Sequence, residues 1–291
     1  MHIRQACGRK ALLLLITVCV VLAGCSRMNL AYRNLHLLIP WSLNDYLDMN
    51  RDQQQRLRAQ LRDHLSWHCR TQLPAYLKAI ERLQNQVGQG DINEARLRAH
   101  YQSAKQAIQT IAVEITPTTT QMLRDLDDEQ ISELSEAFAK DRREREKKYL
   151  QPPLEQQIRE RAQRMTERVE QWLGSVNAVQ RQRILAWAHT LGDQNRFWLA
   201  NRAQWQQALS EALAKRHEEG FDNRIAKLLQ DRESFWTTDY RDAFARTEQA
   251  AFDLVNDLYA LSDTDQRRHL EAQLGDLHKD LSSLDCLSES R

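Results

Sequence analysis

Glycine and proline are scarce, with eight and five residues in a chain of 291. Few positions can therefore adopt a left-handed turn or break a helix. Strands are missing too: no segment alternates apolar and polar residues over strand length. A sheet-based fold is not expected. No glycine-rich loop is present that would cradle phosphates, and there is no Gly-x-Ser-x-Gly nucleophile elbow. Charge of one sign is lacking as well. The 41 basic and 40 acidic residues nearly cancel, so no overall field exists to attract nucleic acid. Long apolar runs are rare. The run from Ala11 to Leu22 is shorter than the roughly 20 residues a membrane-spanning helix needs.

That run has a context. His2, Arg4, Arg9 and Lys10 precede it, and Leu22-Ala23-Gly24-Cys25 follows it. A basic start, a short apolar stretch and small residues at a cleavage point describe a secretory signal. The last four residues resemble the lipobox of bacterial lipoproteins. The resemblance implies cleavage between Gly24 and Cys25. It also implies diacylglycerol on the Cys25 sulfur and a further acyl chain, such as palmitate, on the new amino group. Two or more chains anchor stably where one does not. In Gram-negative lipoproteins an Asp after the cysteine favours the inner membrane. Ser26 at that position implies the outer membrane, facing the periplasm. The competing reading is an ordinary secretory signal with a chance cysteine.

Loss of residues 1–24 removes Arg4, Arg9 and Lys10 and no acid, so the remainder stays near neutral. Gln, Arg, Leu, Ala and Glu dominate it, and these lose little freedom in a helix. Of five cysteines, Cys7 and Cys19 leave with the signal and Cys25 is lipidated. Cys69 and Cys286 remain, either as a disulfide suited to an oxidising compartment or as two free thiols.

Residues 25–34 are expected to be a tether. The apolar stretch Leu35 to Met49 is expected to pack on the domain, because it lacks the Lys and Arg of an interfacial helix. Helical periodicity then runs almost unbroken. The clearest case is Leu154, Ile158, Ala162, Met165, Val169 and Leu173, which step by three or four along one face. Pro117 is expected to mark a bend or boundary, and the charged run Lys140 to Lys148 a solvated face. Tryptophans 172, 187, 198, 205 and 236 fall on or near apolar stripes and are expected to fill the core. The expected fold is all-α, a multi-helix antiparallel bundle. It forms either one body or two helical lobes, residues 35–150 and 151–291, divided near Pro152-Pro153.

One short pattern recurs: an apolar residue, then Asn, Asp or Ser, then Gln three places on, then an apolar residue four later. It appears at Asn50/Gln53, Asp127/Gln130 and Asn177/Gln180, with a weaker copy at Ser262/Asp265. The spacing fits helix capping boxes, in which the cap side chain and the third helical residue satisfy each other's backbone amides. Irregular intervals between copies argue against a solenoid. The pattern is similar to the L-T-x-x-Q motif of the periplasmic Spy/CpxP chaperone family. More closely, the chain resembles the DUF6279 lipoproteins of proteobacteria. The matching stretches are the lipobox, Trp41 to Leu47, Asn50 to Gln53, and Trp67-His68 with Leu73-Pro74-Ala75-Tyr76. Asn50 and Asn177 stand where that family usually has Thr. The resemblance implies architecture and location but no activity.

His64 and His68 lie four apart on one helix face, a spacing that can hold zinc. Leu65-Ser66-Trp67 between them supplies no glutamate for hydrolysis, so packing is the expected role of both and no cofactor is expected. The functional expectation is a membrane-anchored, non-enzymatic envelope protein that binds a protein partner or unfolded chains. The alternatives are a metal-binding protein or hydrolase using His64 and His68, and a structural or assembly lipoprotein.

Overall fold

Asn50, Asp127 and Asn177 each have extended backbone and accept a bond from the amide three residues on. In each case the glutamine at that position bonds back to the amide of the cap residue. These boxes start α2 (Arg51–Thr71), α5 (Asp128–Tyr149) and α7 (Ala178–Thr190). A fourth box starts α11 (Thr264–Ser282), but one residue later than the sequence pattern suggested. Asp263, not Ser262, is the cap, and Gln266, not Asp265, occupies the third helical position. The physical reason is that Gln266 accepts from the cap amide through Oε1 and also donates through Nε2 to the Ser175 carbonyl and to Gln180, whereas an Asp265 carboxylate could accept but make neither of those two further bonds. Ser262 is buried and donates to the Leu258 carbonyl.

The computed structural model describes residues 32, 34–284 and 286. Besides the four helices started by capping boxes, the described residues form α1 (Leu35–Leu43), α3 (Leu73–Gly88), α4 (Glu94–Arg124), α6 (Leu154–Leu173), α8 (Gln194–Ala214), α9 (Phe221–Gln230) and α10 (Thr238–Ala260). A single 3₁₀ turn, Arg232–Phe235, precedes α10. No strand occurs among the described residues. The protein is an all-α bundle.

The four box glutamines meet in pairs. Gln53 donates to Gln130 at 3.0 Å and Gln130 donates to Gln53 at 2.8 Å. Gln180 and Gln266 exchange the same two bonds at 2.9 Å. Leftover N–H groups reach the carbonyl two residues before the partner's cap: Gln53 to Asp125, Gln130 to Asp48, and Gln266 to Ser175. All four side chains are buried, Gln180 completely. A primary amide has two donors and two acceptor lone pairs, so a reciprocal pair with these extra partners can be buried at little cost. Sequence reasoning placed the boxes at helix starts but not against each other.

One core gathers Leu57 of α2, Leu123 of α4, Leu134 of α5, Leu213 of α8, and Phe221 and Ile225 of α9, together with Met49 and Leu126. Helices on both sides of Pro152-Pro153 share it. The expected division at residues 150/151 is therefore a turn between α5 and α6 and does not separate two cores. A second core joins Ile158 and Ala162 of α6, Ile184 and Trp187 of α7, and Leu254 and Leu258 of α10. Arg161 is buried there and donates to the Ala188 and Gly192 carbonyls at the end of α7. A cation suits that end of a helix.

Three further expectations are corrected. Pro117 does not end its segment, since α4 runs through it from Glu94 to Arg124. The proline leaves the Val113 carbonyl without its amide partner, and Val113 is 50% exposed, so water can replace it. The charged run is not wholly a solvated face. Asp141 accepts from Tyr46, Arg145 and Arg202, tying α5 to α8. Burial opposes its ionisation, but the two guanidiniums hold its carboxyl below the ordinary range. Finally, α1 packs only in part. Pro40, Leu43 and the following Tyr46, Leu47 and Met49 face inward, while Leu37 and Leu38 are each 45% exposed and Trp41 is 73% exposed.

Candidate functional site

The apolar stripe of α6 has two fates. Ile158 and Ala162 are buried in the second core, whereas Met165 and Val169 are only half buried. Beside this second half lies a cavity of about 290 Å³. Its walls are Leu83 and Val87 of α3, Met165, Val169 and Leu173 of α6, Val255 and Leu258 of α10, and Leu270 and Leu274 of α11. Tyr259 also lines it, with its hydroxyl donating to the Val87 carbonyl at 3.0 Å. Arg168 is the one charged side chain among the described lining residues. It is exposed, as are Trp172 and Val255, so these three stand where the cavity meets solvent. Arg168 has no hydrogen-bond or ion-pair partner among the described residues. Mostly apolar concavities with a few polar groups are the usual form of small-molecule sites. Periodicity could not reveal this one, because a stripe that lines a cavity and a stripe that packs look alike in sequence.

A second concavity, about 860 Å³ and open, lies between α5 and α8. Small residues line much of it, among them Ser135, Ala139, Ala203 and Ser210. Buried Gln206 is also there, with a side-chain nitrogen that has no partner.

His64 and His68 turn to different partners. His64 is hydrogen-bonded through Nε2 to Thr118 at 2.8 Å, and its Nδ1 lies 3.4 Å from Glu114. His68 is bonded through Nδ1 to the Tyr32 hydroxyl at 2.9 Å and has the Tyr76 ring edge-on to it. Burial lowers the His68 pKa, and it raises that of Tyr32 to about 12. Among the described residues no three His, Cys, Asp or Glu side chains converge on one point. Cys69 and Cys286 are brought together as a disulfide with Cα atoms 6.2 Å apart, against Leu73 and Leu284. The pair joins the end of α2 to the segment after α11. Tryptophan 187 is buried as expected, but Trp172 is at the cavity rim. Gly24 and Cys25 lie outside the described residues. No described helix is long and apolar enough to cross a membrane.

Residues 45–241 match the model of a family of unknown function, DUF6279. The chain belongs to that family. The DUF6279 match includes the first three capping boxes and α6, but ends at the start of α10. The fourth box, the part of the cavity wall on α10 and α11, and Cys286 all lie beyond it. No curated protein and no solved structure matches the chain.

Proposed function

We propose that this protein is a lipid-anchored, non-enzymatic binding protein of the bacterial cell envelope that takes an apolar ligand between α3, α6, α10 and α11. The observation that carries the binding role is the cavity, whose lining is apolar except at its exposed edge. Envelope placement rests on Leu22-Ala23-Gly24-Cys25 at the end of the basic and apolar leader. The Cys69–Cys286 disulfide supports it, because such bonds persist in oxidising compartments. The exposed Leu37, Leu38 and Trp41 of α1, which begins ten residues after Cys25, support a position close to a membrane. The outer membrane is the more specific assignment, on Ser26.

The binding role is tested with an uncharged apolar fluorophore, N-phenyl-1-naphthylamine. Saturable enhancement on the purified protein, weakened by Leu270→Phe, is the expected result, and a wild type that gives no enhancement would end this reading. Anchorage is tested separately. Cys25→Ala should abolish acyl-chain labelling and release the protein from the membrane fraction, and labelling that survives would refute it.

A further inference from the structure

We propose that the cavity's ligand is a free single-chain fatty acid, with its tail between the four helices and its carboxylate at Arg168. This inference rests on the binding role proposed above and names the ligand class. The buried part of the lining consists of Val87, Leu173, Leu258, Tyr259 and Leu274, and the Tyr259 hydroxyl donor is spent on Val87. A polar metabolite placed in it would lose its hydrogen bonds to water without replacement. An alkyl chain loses nothing and leaves water. The cavity's 290 Å³ sits at the small end of ligand sites, roughly 300–1,000 Å³, which suits one chain and not two.

The head group follows from what stands at the edge. Besides Tyr259, the lining side chains with N–H or O–H donors are Arg168 and Trp172. They lie four residues apart on one face of α6. No carboxylate is in the lining and none pairs with Arg168, so the edge offers donors and positive charge without a matching acceptor. A carboxylate complements both. A cationic head would be repelled, and an uncharged one would leave Arg168 unused.

The test titrates alkanoates of increasing length, the matching alkanols and the matching alkylammonium ions against the fluorophore-loaded protein, all below their aggregation concentrations. Alkanoate affinity should rise about 4-fold per added methylene and level off once the cavity is full. Arg168→Gln should weaken alkanoates about 2- to 5-fold, the range for an exposed charge pair, and leave alkanols unchanged. Arg168→Gln should keep the helical signal and unfolding midpoint of wild type, which shows that the variant is folded. Alkanols or alkylammonium ions that bind as well as alkanoates would overturn the carboxylate assignment, as would an Arg168→Gln protein with unchanged preference. Tighter binding of a lysophospholipid than of the alkanoate would overturn the free fatty acid. If the fluorophore binds and the amphiphiles do not, the fatty acid is wrong and the binding role stands. If nothing binds, the binding role itself fails.

Discussion

The two glutamine pairs are the same device in different settings. Around Gln53 and Gln130 every apolar position of the motif is enclosed. The residues before the caps, Met49 and Leu126, are buried, and so are the apolar residues four places after each glutamine, Leu57 and Leu134. Around Gln180 and Gln266 the match is imperfect. Val176 and Ile184 are buried, but Ser262 replaces the apolar residue before the cap, and Leu270 lines the cavity. The first pair carries two extra bonds to backbone carbonyls, from Gln53 and Gln130. The second carries one, from Gln266 to Ser175. Its counterpart, Gln180 to Leu261, is absent among the described hydrogen bonds. The difference teaches that the capping device fixes where helices begin and meet, while the residues around it decide whether the space alongside is filled. The cavity sits where the fourth copy leaves its apolar residue, Leu270, only half covered, against Val87, Tyr259 and Leu274.

The covalent link between the two settings should give the largest effect. The Cys69–Cys286 bond ties the end of the helix started by the first box to the tail of the helix started by the fourth, across 217 residues of sequence. A loop that long is worth about 5.4 kcal/mol in the chain-entropy model. Cys286→Ser should therefore lower the midpoint of urea unfolding sharply, with little change in the native helical signal. An unchanged midpoint would mean that the two sulfurs are not joined in the native protein.

Next in size is the removal of one glutamine. Gln53→Leu or Gln180→Leu takes away a cap partner, about 1 kcal/mol, and leaves the opposite amide buried and short of bonds, about 1–3 kcal/mol more. Gln53→Leu should cost up to about 1 kcal/mol more than Gln180→Leu, because one further bond to Asp125 is lost. Each double replacement within a pair should cost less than the sum of its singles, because no partner is left orphaned. Chemical unfolding of the six variants measures this. Additive losses would show that the paired glutamines do not interact.

Much of this fold was legible because local physics dominated it. Capping spacing located three of four helix starts, and the periodicity of α6 ran through its whole length. The fourth start was misplaced by one residue because Ser262 looks like a cap, and only its buried bond to Leu258 shows that it is not. Pro117 was misjudged for a related reason: whether a proline breaks a helix depends on which face bears the lost bond, and only packing sets the face. The exposure of Trp41 and the half-buried state of Met165 were illegible in principle. Hydrophobicity states what a side chain gains by burial and not whether a neighbour arrives to bury it. Pairing of glutamines 77 and 86 residues apart is long-range geometry, which no local window contains.

The smallest predicted effect separates the two settings most directly. Leu134 and Leu270 hold the same position, four residues after the glutamine of a capping box, yet Leu134 is buried in a filled core and Leu270 faces open volume. Replacing Leu134 with Phe forces a larger ring into close-packed surroundings, which costs about 1–3 kcal/mol. Replacing Leu270 with Phe puts the ring into space already there, so the loss should stay within about 0.5 kcal/mol while ligand binding falls. Thermal unfolding of the two variants side by side decides the matter. Equal losses would mean that the space beside Leu270 is closed in solution and that both pairs are sealed alike. Unequal losses, together with weaker fluorophore binding for Leu270→Phe alone, would locate the binding volume at the one copy of the motif whose apolar residue is only half covered.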